Sequence, residues 1–289
     1  MTIATRLTSL GTLYVNGSFD EITTATIRTT TDTVYAATFD EVSFFGNSSF
    51  AQRVTNTGTH FVVREFDEFT GAPVVDESLV LWLDAAQTAS YPGSGTTWTD
   101  LSGRGNTGTF TNGPTFSSIN GGSIVFDGID DYVNCGNSSI LNVGNNITVN
   151  VWFYVNSNSG YQPILGKVVS DFSLGWELAN SSGGFRTTFR PSANIIDITA
   201  GVLIVGNWYM GTMTFDNAIV KLYLNSVQTG SSTSGGPVTL NSTEPLSIGR
   251  RVQGNYYNGR VSHVSIYSRV LTDIEIQRNF NALRRRYGV

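Results

Sequence analysis

Apolar residues in this chain come in short runs that mostly alternate with polar ones. From residue 79 onward the runs keep a steady beat: Leu79–Asp84, Ser123–Phe126, Ile147–Val155, Pro163–Gly166, Phe172–Leu178 and Phe185–Phe189. Trp208–Phe215, Ala218–Leu224, Pro245–Ile248 and Gly259–Tyr267 continue the series. Val149, Val151 and Phe153 alternate with Asn150 and Trp152, and Val220, Leu222 and Leu224 with Lys221 and Tyr223. Period-two patterning of this kind places one set of side chains on each face of a strand. Many short strands separated by Gly, Asn and Ser turns predict a β-sandwich or jelly roll.

The end of the chain changes period. Thr272-Asp-Ile-Glu275 has the form of a capping box, in which hydroxyl and carboxylate satisfy the free N–H groups of a helix start. Ile276, Phe280, Leu283 and Tyr287 then share one helical face, so one short C-terminal helix is expected against the sandwich. The basic run Arg284-Arg285-Arg286 sits where positive charge complements a helix dipole.

The first quarter is different. Thr12–Val15, Thr33–Ala36 and Thr59–Val63 predict short strands, and each leads into a Phe-Asp-Glu triplet: Phe19-Asp20-Glu21, Phe39-Asp40-Glu41 and Phe66-Asp67-Glu68. Segments 6–23 and 53–70 align without a gap, with half of the positions identical. Asp and Glu are poor strand formers, so the triplets are expected at strand ends or turns. Residues 1–75 therefore form a small β module with few core residues, which gains from burial against a partner. The acids and Phe of each triplet are either a structural repeat or a docking surface, with Phe filling a partner's pocket. Gly71–Asp76 is the expected linker, and residues 79–289 form the larger domain.

Charged residues are only 13% and the formal net charge is -5, which argues against a general nucleic-acid grip. No apolar run is long enough to span a membrane, and the N-terminus lacks a signal-peptide plan, so assembly in a cytoplasm is expected. Cys135 is the only cysteine and is expected to be a buried, inert thiol.

Candidate chemistry is sparse. Asp127, Asp130 and Asp131 in a Gly-containing loop are the best metal candidates, with Ca²⁺ the cation that three hard carboxylates suit; backbone-capping turns are the alternative. Asp100 and Asn106 are further oxygen donors whose place the fold must decide. Tyr256-Tyr257 between Asn255 and Asn258 are aromatics in a polar turn, and with Trp98 they form the glycan-binding candidates. Trp82, Trp152 and Trp208 lie in strand-like runs and are expected in the core. A retaining glycosidase needs two facing carboxyl groups, yet Glu177 and Asp197 are each isolated. Asp273 and Glu275 are helix-cap residues. His60 and His263 sit in different domains, so no catalytic residue is assigned and no enzyme is expected.

Leu81-Trp-Leu-Asp-Ala85, Asp100–Asn106, Phe126-Asp-Gly-Ile-Asp-Asp-Tyr-Val133, Ile147–Trp152, Trp208-Tyr209, Lys221–Asn225, Ile248-Gly-Arg250, Gly259–Tyr267 and Ser268–Ile276 occur in this order. In these motifs residues 79–287 resemble the concanavalin A-like, laminin G-like jelly rolls. That resemblance implies an all-β fold of two sheets, and a family whose members include lectins, adhesins, enzyme-appended modules and structural domains. Gly11-Thr-Leu-Tyr-Val15 followed by Phe19-Asp-Glu21 resembles the start of structural proteins of tailed phages, especially those infecting cyanobacteria. This second resemblance implies a virion component (decoration, tail fibre or host-binding protein) whose residues 1–75 dock onto capsid, neck or tail proteins. A homo-oligomer and a surface glycan are the other expected partners, with neither nucleic acid nor membrane. A lectin or adhesin unrelated to phage is the main alternative, and a glycoside hydrolase the remote one.

Overall fold

The computed structural model describes residues 75–289, apart from 143–145, 169–173, 191–195, 234–242 and 252–253, and within 1–74 only the backbone of strand segments. The chain divides into two compact units, Met1–Ala72 and Pro73–Val289.

In the first unit, strands Ala4–Thr8, Gly11–Asn16 and Thr33–Ala36 form one antiparallel sheet. Phe19–Thr23, Thr26–Thr29, Glu41–Gly46, Phe50–Thr55 and His60–Glu65 form a mixed sheet, in which Thr26–Thr29 and Glu41–Gly46 pair parallel. The three strands expected before the triplets are present. Phe19-Asp20-Glu21 opens a strand, with a register shift against its neighbour between Phe19 and Glu21. Glu41 also opens a strand, whereas Phe39, Asp40, Phe66, Asp67 and Glu68 lie outside the described residues.

The second unit starts with β1 (Leu79–Asp84), β2 (Thr97–Trp98), β3 (Gly108–Thr111), β4 (Thr115–Ser117), β5 (Ser123–Asp127) and β6 (Tyr132–Asn134). The long strands follow: β7 (Asn146–Val155), β8 (Tyr161–Val168), β9 (Gly175–Ser181), β10 (Gly184–Arg190), β11 (Ile196–Val202), β12 (Trp208–Asp216), β13 (Ile219–Leu224) and β14 (Val227–Thr233). β15 (Ser247–Ile248), β16 (Arg250–Arg251), β17 (Asn255–Tyr256), β18 (Asn258–Tyr267) and α1 (Asp273–Tyr287) complete it. The front sheet runs β2-β3-β6-β15-β8-β9-β10-β11. The back sheet runs β4-β5-β18-β7-β12-β13-β14, with β1 also paired to β18. Both sheets are antiparallel throughout, the arrangement of a jelly roll.

The alternation read from the sequence decides which side chains fill the sandwich. Val149, Val151 and Phe153 of β7 point inward and meet Phe185 and Phe189 of β10, Met213 and Phe215 of β12, and Leu222 of β13. Each such buried side chain contributes roughly 1.5–3 kcal/mol. Close approach explains Gly211, where a Cβ would lie 2.3 Å from the Phe185 ring. Trp152 projects from the opposite face of β7 into a second core beneath α1, beside Trp208, Met210, Tyr223 and Tyr267. The Trp152 ring stacks on Tyr287 at 4.2 Å and on Phe280 at 5.6 Å between centroids. Trp82 is half-buried at the edge of this layer.

The helix ends are as the sequence predicts. Thr272 accepts from the Glu275 N–H while the Glu275 carboxylate takes the Thr272 N–H, and Gly288 closes the helix at φ 72°. Ile276, Phe280, Leu283 and Tyr287 are all buried. Arg286, by contrast, does more than complement a dipole: it reaches the buried Asp84 of β1. Besides the short β2, β3, β4, β6, β16 and β17, the strands β11 and β14 were not predicted. Both end their sheets, and β14 is mostly exposed and polar, so it carries no apolar alternation.

Candidate functional site

The outer face of the front sheet bears one buried carboxylate. Glu177 of β9 stands directly across from Thr188 of β10, which stands across from Asp197 of β11. A lone buried acid between Trp176 and Leu178 needs a cation, and Arg251 of β16 supplies it. Arg251 Nε donates to Glu177 Oε2 at 2.8 Å, and Nη2 and the Tyr161 hydroxyl both donate to Oε1. Arg251 Nη2 also lies 2.8 Å from the Tyr161 oxygen, and its guanidinium covers the Tyr161 ring at 4.5 Å. Burial and the adjacent Glu177 charge raise the Tyr161 pKa, so the phenol keeps its proton to donate. Burial works against the Arg251 charge, but the Glu177 carboxylate more than offsets it and raises its pKa. Asp197 is held by Arg186 at 2.9 Å. Among the described residues, Glu177 and Asp197 on this face are thus both engaged by arginine, and Glu177 is sealed from solvent.

β16 rises from the front sheet after Gly249, whose φ of 87° turns the chain and whose Cβ would lie 2.5 Å from Phe126. It pairs with β17, Arg250 opposite Tyr256 and Arg251 opposite Asn255. Arg250 turns the other way from Arg251, stacking its guanidinium 3.5 Å above the centroid of Tyr132. The chain then continues into β18, where Asn258 is the register partner of Asp127.

That pairing brings two sequence candidates to one rim. Asn255 is exposed, and Tyr256 and Asn258 are half-buried. Beside them Asp127, Asp130 and Asp131 hold carboxylate oxygens within 4.8 Å of one another. Gly128 is required there, since a Cβ would lie 2.8 Å from the Asn258 side chain. Asp127 Oδ1 accepts the Ile129 N–H at 2.8 Å, and Asp131 Oδ2 accepts the Asp127 N–H at 3.1 Å. Each of the three carboxylates keeps an oxygen outside these bonds, and a hard cation with oxygen ligands fits such a set. Burial, reinforced by the charges of Asp127 and Asp130, raises the Asp131 pKa although the Asp127 N–H opposes it.

Two glycan candidates are corrected. Tyr257 is fully buried, donates its hydroxyl to the Tyr154 carbonyl at 2.8 Å and packs near Phe126, so it is a core residue. In a strand, Tyr256 and Tyr257 face opposite ways, and only one can meet a ligand. Trp98 is also fully buried, edge-on to Phe110 at 6.4 Å. Asp100 and Asn106 do not join the acidic rim. Asp100 accepts from the Trp82, Ser102 and Asn106 N–H groups, and Asn106 donates to the Val80 carbonyl at 2.7 Å. They pin the loop before β3 onto β1.

His263 lies on the back sheet under α1, its Nδ1 3.6 Å from Asp84 Oδ2. Ser262 is adjacent, but its hydroxyl donates to the Gly122 carbonyl and accepts from Tyr287. This buried group offers no nucleophile to solvent. His60 belongs to the residues whose side chains are not described. Cys135 is buried, and burial with the nearby Asp100 charge pushes its thiol up to about 12, as expected of an inert thiol. The Glu177–Arg251 clamp was missed in the sequence, although an isolated acid in an apolar strand and the Arg250-Arg251 pair were its two signals.

No curated protein sequence matches the chain. Solved structures do. The binding domain of botulinum neurotoxin DC in complex with rat synaptotagmin II is 18% identical with a TM-score of 0.58, over 72% of this chain and 52% of that one. The binding domain of Paraclostridial Mosquitocidal Protein 1 is 17% identical with a TM-score of 0.58 over the same shares, 72% and 52%. A structure of botulinum neurotoxin type C, whose cell entry depends on two ganglioside molecules, is 15% identical with a TM-score of 0.55, covering 72% and 52%. The chain thus spans about half the length of these structures, and the likeness is one of fold. The profile of the concanavalin A-like lectin/glucanases superfamily matches residues 127–277, just over half of the chain. With its two antiparallel sheets and alternating core, this chain belongs to the concanavalin A-like lectin/glucanases superfamily.

Proposed function

We propose that the jelly roll is a non-catalytic, glycan-binding domain whose ligand meets the rim formed by Tyr256, Asn255 and Asn258 beside the Asp127–Asp131 loop. The register pairing of Asp127 with Asn258 carries this reading, because it alone assembles an aromatic ring, amides and free carboxylate oxygens. Sugars present apolar ring faces and many hydroxyls, which such a set matches. A Ca²⁺ ion on Asp127, Asp130 and Asp131 would fix the loop and offer open coordination to hydroxyls. The clamp on Glu177 supports the non-catalytic part: a proton donor must reach its substrate, and this carboxylate is bound by Arg251 and Tyr161. The ganglioside dependence of the botulinum neurotoxin type C structure adds a likeness in ligand class. A glycan array probed with and without Ca²⁺ tests the reading. Tyr256→Ala should abolish the signal while Tyr161→Phe keeps it; an array blank with and without Ca²⁺ sinks the reading.

We further propose that the protein is a structural component of a tailed-phage virion, with residues 1–75 docking it to capsid, neck or tail proteins. The repeat of 6–23 in 53–70, with its Phe-Asp-Glu triplets, favours this. Deleting residues 1–70 should abolish incorporation into particles and leave the jelly roll folded. A truncated chain that still loads onto particles rules the docking role out.

A further inference from the structure

Lys167 stands near the end of β8 on the face of Leu165, and its register partner on β9 is the core residue Trp176. Lysine is almost never fully buried unless it is paired, yet Lys167 is 1% exposed. What its amine meets is an amide. Nζ donates to Asn137 Oδ1 at 2.5 Å and to the Glu244 carbonyl at 2.7 Å. The same amide is held from its other end, since Asn137 Nδ2 donates to the Thr243 carbonyl at 2.6 Å. A carbonyl bond of about 1.23 Å then keeps Asn137 Cγ within ~3.7 Å of Lys167 Nζ, close to the separation of a near-attack pair. Burial lowers the Lys167 pKa to about 8 against the pull of the Glu244 charge, so part of the amine is uncharged near neutral pH.

The geometry points to an intramolecular amide bond between Lys167 and Asn137, formed by the protein on itself. The uncharged Nζ attacks Asn137 Cγ, the Cγ–Nδ2 bond breaks, and one Nζ proton passes to Nδ2, so that one ammonia leaves. The step is a transamidation and needs neither oxidant nor cofactor. Glu244 binds the amine through its carbonyl and acts on it by its charge, so its carboxylate is assigned the proton transfer. Asn137 is exposed, which gives ammonia a way out. The bond fastens the loop after β6 to β8, two strands that the front sheet otherwise joins through β15, only two residues long. It closes a segment whose ends are 30 positions apart, and a cross-link of that span narrows the unfolded ensemble as a disulfide does. With Cys135 as its only cysteine, the chain has no intrachain disulfide to serve instead. The inference stands apart from the glycan reading, since neither residue belongs to the rim.

The test weighs the denatured full-length chain by mass spectrometry. Wild type should be lighter than its sequence mass by one ammonia. Trypsin should leave Lys167 uncut and yield one branched peptide that joins it to the segment holding Asn137. Lys167→Arg and Asn137→Ala should each keep their full sequence mass and unfold at a lower temperature than wild type. Glu244→Gln should link more slowly, leaving a mixture of linked and unlinked chains in a fresh preparation; linking as fast as in wild type overturns the part assigned to Glu244. A wild-type chain still at its full sequence mass after long incubation at pH 8, near the Lys167 pKa, overturns the inference. So does an ammonia loss that maps to Asn112-Gly113 or Asn120-Gly121, where succinimide formation gives the same change in mass.

Discussion

Arg286 Nη1 lies 2.8 Å from Asp84 Oδ1, joining the last turn of the C-terminal helix to the first strand of the jelly roll. Both residues are buried, and His263 approaches the other carboxylate oxygen. Burial pushes the Asp84 carboxyl up, but His263 and Arg286 together hold it below the usual range. The pair closes the domain end to end, because the helix it fastens covers Trp152 and Trp208.

Removing one partner of a buried pair leaves an uncompensated charge. Arg286→Met should therefore cost about 3–5 kcal/mol of stability in urea unfolding. Asp84→Asn combined with Arg286→Met should recover part of that loss. Asp84 has a depressed folded pKa, so its contribution is present above the unfolded value and lost as pH falls through the folded one. Arg286→Met should accordingly unfold at a higher pH than wild type. A cost below about 0.5 kcal/mol, the range of ordinary surface changes, would show that the pair does not fasten the helix.

Glu275 is a second acid-sensitive point. The Arg269 hydrogen bonds, with the capping box, outweigh partial burial and take its pKa from 4.5 down to about 2. Its stabilisation should be complete above pH 4.5 and fade as pH falls through about 2. Glu275→Gln should lower stability at pH 7 by about 1 kcal/mol. The gap between variant and wild type should narrow on acidification. A gap that stays constant down to pH 2 would remove the carboxylate from the account.

Asp131 runs in the opposite direction. Its raised pKa means that the folded state holds the proton more tightly, so ionisation costs stability as pH rises through the unfolded and then the folded value. In metal-free buffer at pH 7, Asp131→Asn should raise the Tm. Millimolar Ca²⁺ should raise the wild-type Tm and leave Asp127→Asn/Asp130→Asn unmoved. If Ca²⁺ shifts neither protein, the loop is a hydrogen-bonded turn and the glycan rim works without metal.

Arg251 should behave as structure and not as chemistry. Arg251→Met strands the buried Glu177 and should cost about 3 kcal/mol or more. Glu177→Gln/Arg251→Met should be less damaging than Arg251→Met alone. β-Glucan should yield no sugar with wild type or with Glu177→Gln; release that depends on Glu177 would restore the hydrolase.

Much of the fold was readable because burial on a sheet obeys a two-residue period. Val149, Val151 and Phe153 declared the inner face of β7, and Thr272 with Glu275 declared the start of α1. The edge strand β14 was not readable, since Val227-Gln-Thr-Gly-Ser-Ser-Thr233 buries too little to show a period. The residues of the proposed rim were named in part. Asp127–Asp131 and Tyr256 were singled out by residue type, but Tyr257 and Trp98 were assigned wrongly because local polarity cannot reveal what packs above a turn.

Local sequence alone determined most of the long strands, the helix cap and the inert cysteine. These depend on propensity, period and composition, which neighbouring residues carry. The tertiary structure decided the pairings between distant residues: Arg286 with Asp84, Arg251 with Glu177, and Asp127 with Asn258. Antiparallel register and helix docking set those distances, and no spacing along the chain encodes them.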